Sequence, residues 1–155
     1  MIGIIDYNMG NLASVYNACK LIDADATIVK NPEDLKKFNR VILPGVGAYK
    51  DAMEHLIQTG MNEAVYEFAK TGKPMIGICL GMQLLFESSQ EFGHSDGLGL
   101  IDGHVIKFDK SKMHEDFKIP HMGWNTIKNK ENPLFEGLKD PYLYFVHSYH
   151  AVTSE

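Results

Sequence analysis

The chain has 155 residues, with 15 Lys and Arg against 20 Asp and Glu, so its net charge is −5. Hydrophobic residues make up 45 % and charged residues 23 %, an ordinary balance for a globular domain, and the length suits one domain. These numbers exclude several classes. The longest apolar stretch, Met75 to Met82, falls far short of the ~18 residues a membrane helix needs. An acidic chain without a Lys/Arg block gives nucleic acid no basic footprint. The opening Met1-Ile2-Gly3-Ile4-Ile5-Asp6 lacks the basic region of a secretory signal. Two cysteines, Cys19 and Cys79, make no disulfide framework, and a reducing cytoplasmic setting is expected.

Ile2 to Asp6 reads as a first strand, followed by Gly10-Asn11 and a helical pattern through Ile22. Ala26 to Val29 and Val41 to Leu43 are further short strands, closed by Asn31-Pro32 and Pro44-Gly45. Helical periods follow at about 48–58 and 61–71, then Gly72-Lys73-Pro74 breaks the chain before a fourth strand, Met75 to Ile78. Leu80 to Ser88 reads as a helix. Near-continuous apolar strands alternating with helices predict an α/β fold, three-layered around a mostly parallel central sheet. After Gly97 the pattern changes to an added β section: Leu98 to Phe108, Met122 to Lys128 and Tyr142 to Val152 read as strands. Lys107 to Lys118, rich in Lys and Asp, is expected to be a solvated hairpin tip.

The strongest chemical signal is Gly77-Ile78-Cys79-Leu80-Gly81, between a buried strand and a helix. Small residues flank a nucleophile where a sharp strand-to-helix turn brings backbone against backbone. A sulfur at the start of a helix meets unpaired N–H groups that favour thiolate, and the N–H of Leu80 supplies half an oxyanion hole. Cys19, among Val15, Ala18 and Ile22 without glycines, reads instead as a small core residue. Pro44-Gly45-Val46-Gly47 follows the third strand. It fails as a dinucleotide fingerprint because Lys50 stands where the third glycine belongs. Its N–H groups, at the same sheet edge as Cys79, can complete the oxyanion hole. No cluster has metal-ligand spacing, and no cofactor is expected. Of seven histidines, pattern alone favours His147 as the base, and none is compelling.

The run Gly77 to Glu87, with Asp6-Tyr7-Asn8-Met9-Gly10-Asn11-Leu12, Pro44 to Gly47, Pro120 to Asn125 and Phe145 to Tyr149, resembles the class I glutamine amidotransferases. Within that family it resembles the glutaminase subunits serving histidine biosynthesis. The likeness runs over the whole chain as one amidotransferase domain, 1–155. It implies that Cys79 attacks the amide of L-glutamine, forming a thioester and releasing ammonia. Val46 or Gly47, with Leu80, would supply the oxyanion N–H groups. Gly45, Gly47, Gln83, Glu91, His147, Ser148 and Tyr149 match positions that hold glutamine, which moves His147 from base to substrate contact. Ammonia would pass to a (β/α)8 cyclase subunit that makes imidazole glycerol phosphate, with Asn11, Trp124 and Tyr144 near that interface.

One departure is plain: the family's late His-Pro-Glu motif has no counterpart, since no His here is followed by Pro. The C-terminal part of the domain is expected to be missing, and residues 1–155 alone are expected to turn over negligible glutamine. Two rival readings remain beside the leading one. A paralogous glutaminase could feed a different synthase, such as one amidating a sugar. A non-catalytic subunit could bind the partner only.

Overall fold

The computed structural model describes residues 1–114, 117–127 and 133–153. They fall into two compact units, one of Met1–Ile106 with the strand end from Ala151, the other Lys107–His150.

The first unit is built on four parallel strands, β1 (Ile2–Ile5), β2 (Ala26–Val29), β3 (Arg40–Leu43) and β4 (Met75–Gly77), in the order β2-β1-β3-β4. Ile4, Ile5, Val41 and Leu43 are fully or almost fully buried, as β-branched and aliphatic runs in parallel sheets should be. Helix α1 (Leu12–Leu21) starts at Asn11, whose Oδ1 accepts from the Ser14 N–H at 3.1 Å. Cys19, on α1, is buried in the core as expected. Helix α2 (Tyr49–Thr59) buries Tyr49, Ala52, Met53 and Leu56, and α3 (Met61–Lys70) buries Met61, Val65 and Phe68. Both sets recur at helical spacing. Gly60, at φ +70°, ends α2 in the left-handed region and lets α3 start at once.

The helix expected over Leu80–Ser88 is a single turn, α4 (Leu80–Gln83). The chain then becomes strand β5 (Phe86–Ser89), which joins β6 (Ser95–Asp96), β7 (Ile101–Lys107) and β10 (Tyr149–Thr153) in the order β10-β7-β5-β6. The reason is competition for backbone groups. The Leu84 carbonyl accepts from Leu98 N–H at 2.9 Å, and the Leu85 carbonyl accepts from Leu100 and Ile101 at 2.8 and 3.0 Å. Those carbonyls are then satisfied across the sheet instead of along a helix. β5 runs parallel to β7 and antiparallel to β6, so this section is mixed, and it begins at Phe86, ahead of the change of pattern expected after Gly97.

The second unit centres on an antiparallel pair, β8 (His121–Thr126) and β9 (Tyr142–His147). The single strand expected over Tyr142–Val152 is broken at Ser148, where the chain bends before β10. The expected hairpin tip contains a short 3-10 turn, Lys110–Lys112, capped by Asp109 Oδ1 on the Ser111 N–H. Glu115, Asp116 and Lys128 lie outside the described residues.

Candidate active site

Strand β4 leads through Ile78 into Cys79, which sits at φ +54°, ψ −117°. A residue with a Cβ is rare there, and holding one costs about 1–3 kcal/mol. The surroundings enforce the turn. The Ile78 N–H donates to the Leu43 carbonyl at 3.0 Å, and the Cys79 carbonyl accepts from Met82 and Gln83 at 3.0 and 3.2 Å. A Cβ on Gly81 would overlap the Leu43 carbonyl oxygen, and one on Gly77 would overlap the Met82 backbone. The glycines on either side of the cysteine are therefore needed for backbone approach, the reason their spacing predicts. The turn leaves the Cys79 side chain exposed, in contrast to buried Cys19.

Helix α4 is a single turn, too short to sum many peptide dipoles, so the macrodipole expected at the start of a helix adds little there. As the first helical residue, Leu80 has an N–H without an intrahelical acceptor. Beside it runs the Pro44–Ala48 loop. A Cβ on Gly45 would stand 2.5 Å from Gly81 N and 3.0 Å from the Leu80 carbonyl carbon. The two glycine-rich segments thus pack main chain to main chain. Val46 and Gly47, the next residues, are exposed.

This loop is fixed at both ends by side chains. The buried Tyr7 hydroxyl donates to the Pro44 carbonyl at 2.8 Å. At the other end, Ala48 gives α2 no side-chain cap, and the Glu91 carboxylate accepts from the Tyr49 N–H at 2.7 Å. Burial holds the Tyr7 phenol well above the usual tyrosine range. The Tyr49 phenol is pushed up to about 12 by burial and then by the charge of Asp96. Neither Tyr7 nor the Glu91–Tyr49 cap is assigned this role by sequence reasoning. The only signal was the place of Tyr7, directly after a strand at the sheet edge where ligands gather.

A family model for glutamine amidotransferase class-I matches residues 3–155. The chain belongs to the class I glutamine amidotransferase family. This amidotransferase is 60 % identical over 156 residues to the imidazole glycerol phosphate synthase subunit HisH of Sulfurimonas denitrificans, covering all of this chain and 75 % of that one. It is also 60 % identical over 154 residues to the HisH subunit of Wolinella succinogenes, covering 98 % of this chain and 75 % of that one. A crystal structure of a glutamine amidotransferase shares its fold, with a TM-score of 0.67 at 19 % identity, over 94 % of this chain and 70 % of that one.

The other residues singled out in the sequence of this amidotransferase are placed as follows. In the first unit Gln83 closes α4 and is half-buried, Glu91 caps α2, and Asn11 caps α1. In the second unit Trp124 and Tyr144 are cross-strand partners, their rings edge to face at 5.5 Å and 74°. They are 69 % and 55 % exposed. His147, Ser148 and Tyr149 form the corner between β9 and β10. Among the described residues no cluster of three or more His, Cys, Asp or Glu is arranged to hold a metal.

Proposed function

We propose that this amidotransferase is the glutaminase subunit of an imidazole glycerol phosphate synthase, acting in histidine biosynthesis. The observation that carries the chemistry is the packing of the Gly45 loop against the Leu80–Gly81 backbone beside an exposed, strained Cys79. The Cys79 thiolate attacks the side-chain amide carbon of L-glutamine, and the carbonyl oxygen takes up the displaced electron pair. The N–H of Leu80, with that of Val46 or Gly47, stabilises this oxyanion, a contribution of about 3–4 kcal/mol per well-aimed donor. Collapse breaks the C–N bond, and the nitrogen takes from solvent water the proton that the thiol gave up on ionising and leaves as ammonia. Water then cleaves the γ-glutamyl thioester to glutamate and the free thiol.

Gly45, Gly47, Gln83 and Glu91 hold the substrate, and His147, Ser148 and Tyr149 contact it. A carboxylate that accepts one N–H keeps its charge and further lone pairs, which suits Glu91 to the α-ammonium of glutamine. Ammonia passes to a (β/α)8 cyclase subunit. The partner-facing residues are Asn11, Trp124 and Tyr144. In support, the β8–β9 register puts Met122, Trp124, Tyr142, Tyr144 and Val146 on one face, all exposed. Aromatic anchors on an exposed apolar face are a common feature of interfaces. Among the described residues no helix is long and apolar enough to cross a membrane, and we assign the protein to the cytoplasm.

The test is co-purification, with a cyclase subunit, of a chain that carries a late His-Pro-Glu motif as well as residues 1–155, followed by glutamine-dependent formation of imidazole glycerol phosphate in a complex carrying Cys79 or Cys79→Ala. Glutamine-dependent product that disappears in Cys79→Ala, while free ammonia still supports the cyclase, is the expected result. Product formation from glutamine that survives Cys79→Ala would refute the assignment.

A further inference from the structure

The turn that presents Glu91 is built by residues the chemistry above does not use. Strand β5 ends at Ser89, which is wholly buried and paired on both sides, with Val105 of β7 and with Ser95 of β6. The Gln90 N–H makes one more bond across the sheet, to the Val105 carbonyl at 2.9 Å. The Glu91 N–H turns back instead and donates to Ser89 Oγ at 3.1 Å. A hydroxyl that takes the N–H two residues further on bends the chain out of a strand. Phe92 and Gly93 follow at φ +54° and +110°, and the chain returns as β6.

The bend brings Glu91 to helix α2. Its Oε2 accepts from the Tyr49 N–H at 2.7 Å, at a helix start without a side-chain cap of its own, where a negative charge is favoured. Tyr49 meets the same hairpin a second time, since a Cβ on Gly97 would overlap the Tyr49 hydroxyl and the Phe86 carbonyl oxygen. Glu91 is thus held at two points, its backbone by Ser89 and its carboxylate by Tyr49. A carboxylate has about four lone-pair sites, and the Tyr49 bond uses one. All of these residues lie in the first unit, as Cys79 does.

We propose that Ser89 is a positioning residue for glutamine binding. Its Oγ fixes the Glu91 backbone, so that the carboxylate bonded to Tyr49 keeps one orientation and offers its remaining lone pairs to the α-ammonium. The proposal rests on the reading that Glu91 holds that ammonium. Anchored at the carboxylate alone, Glu91 would swing about its bond to Tyr49, and the direction of the free lone pairs would swing with it.

The experiment measures inactivation of a chain that carries a late His-Pro-Glu motif as well as residues 1–155, in complex with a cyclase subunit. Two chloroketones that alkylate Cys79 are compared, the analogue of L-glutamine and the same compound without its α-amino group. Inactivation rate against reagent concentration separates binding (KI) from alkylation (kinact). Ser89→Ala is expected to raise KI of the amino reagent about tenfold, the size of one misaligned charge-assisted hydrogen bond. Its kinact, and KI of the reagent without the amino group, should stay unchanged. Ser89→Cys, of similar size but with sulfur as a weak acceptor, should show the same selective rise. Glu91→Gln is the control for the underlying reading and should raise KI of the amino reagent selectively, by at least as much. A selective rise in Glu91→Gln with none in the Ser89 variants overturns the positioning role and leaves the reading intact. No selective rise in Glu91→Gln overturns the reading, and the proposal with it. Equal rises for both reagents in the Ser89 variants also overturn the role, since the effect would then be structural only.

Discussion

The Tyr7 hydroxyl donates to the Pro44 carbonyl at 2.8 Å, and both groups are buried at the start of the loop that packs against the turn after Cys79. Tyr7→Phe removes only that oxygen and leaves the Pro44 carbonyl without its donor, at a cost of about 1–3 kcal/mol. Because the loop carries Val46 and Gly47, the variant should also lose transition-state stabilisation. In a cyclase complex whose glutaminase chain also carries a late His-Pro-Glu motif, we predict a fall of about tenfold in kcat, with KM changed less. A variant that loses stability but keeps full kcat would separate Tyr7 from the oxyanion role proposed for this loop.

Tyr49 gives the opposite expectation. Its hydroxyl is buried and has no hydrogen-bond partner among the described residues. Tyr49→Phe should therefore leave stability at neutral pH unchanged or raise it by about 1 kcal/mol. Denaturant midpoints at fixed slope measure this directly.

The same two phenols predict how stability falls in alkali. Burial raises both above the ordinary value, Tyr49 to about 12. Once the pH passes the unfolded value of about 10, the unfolded chain loses protons that the native state keeps. Their stabilisation is complete below about pH 10 and declines as pH rises through the folded values. Tyr49→Phe should flatten the decline between about pH 10 and 12, as read by thermal melts across that range.

Cys79 carries the strain of the turn at φ +54°. Cys79→Gly should raise the melting temperature above that of Cys79→Ala, by an amount corresponding to about 1–3 kcal/mol, while both lose glutaminase activity. Gly81→Ala should do the reverse and unfold the site, because its Cβ meets the Leu43 carbonyl oxygen. Differential scanning calorimetry of the three variants decides the order.

Much of the first unit is legible in the sequence because its determinants are local. Ile2 to Ile5, Ala26 to Val29 and Val41 to Leu43 are short apolar runs with turn residues behind them, and the Gly-x-Cys-x-Gly spacing states its own steric need. The failures come from residues that meet across the chain. α4 stops early because the Leu84 and Leu85 carbonyls are taken by residues 98–101. Tyr7 reaches Pro44 across 37 positions, Glu91 reaches Tyr49 across 42, and His121 reaches His147 across 26. No periodicity marks such pairs, so the clamp on the loop and the bond between the two histidines become visible only in three dimensions.

The central claim is that Cys79 is a nucleophile shaped for glutamine, and alkylation mapping by mass spectrometry tests it most directly. In the cyclase complex, a chloroketone analogue of L-glutamine should modify Cys79 once, spare Cys19, and be slowed by added L-glutamine. Modification that ignores L-glutamine, or that reaches Cys19 as readily as Cys79, would contradict the account.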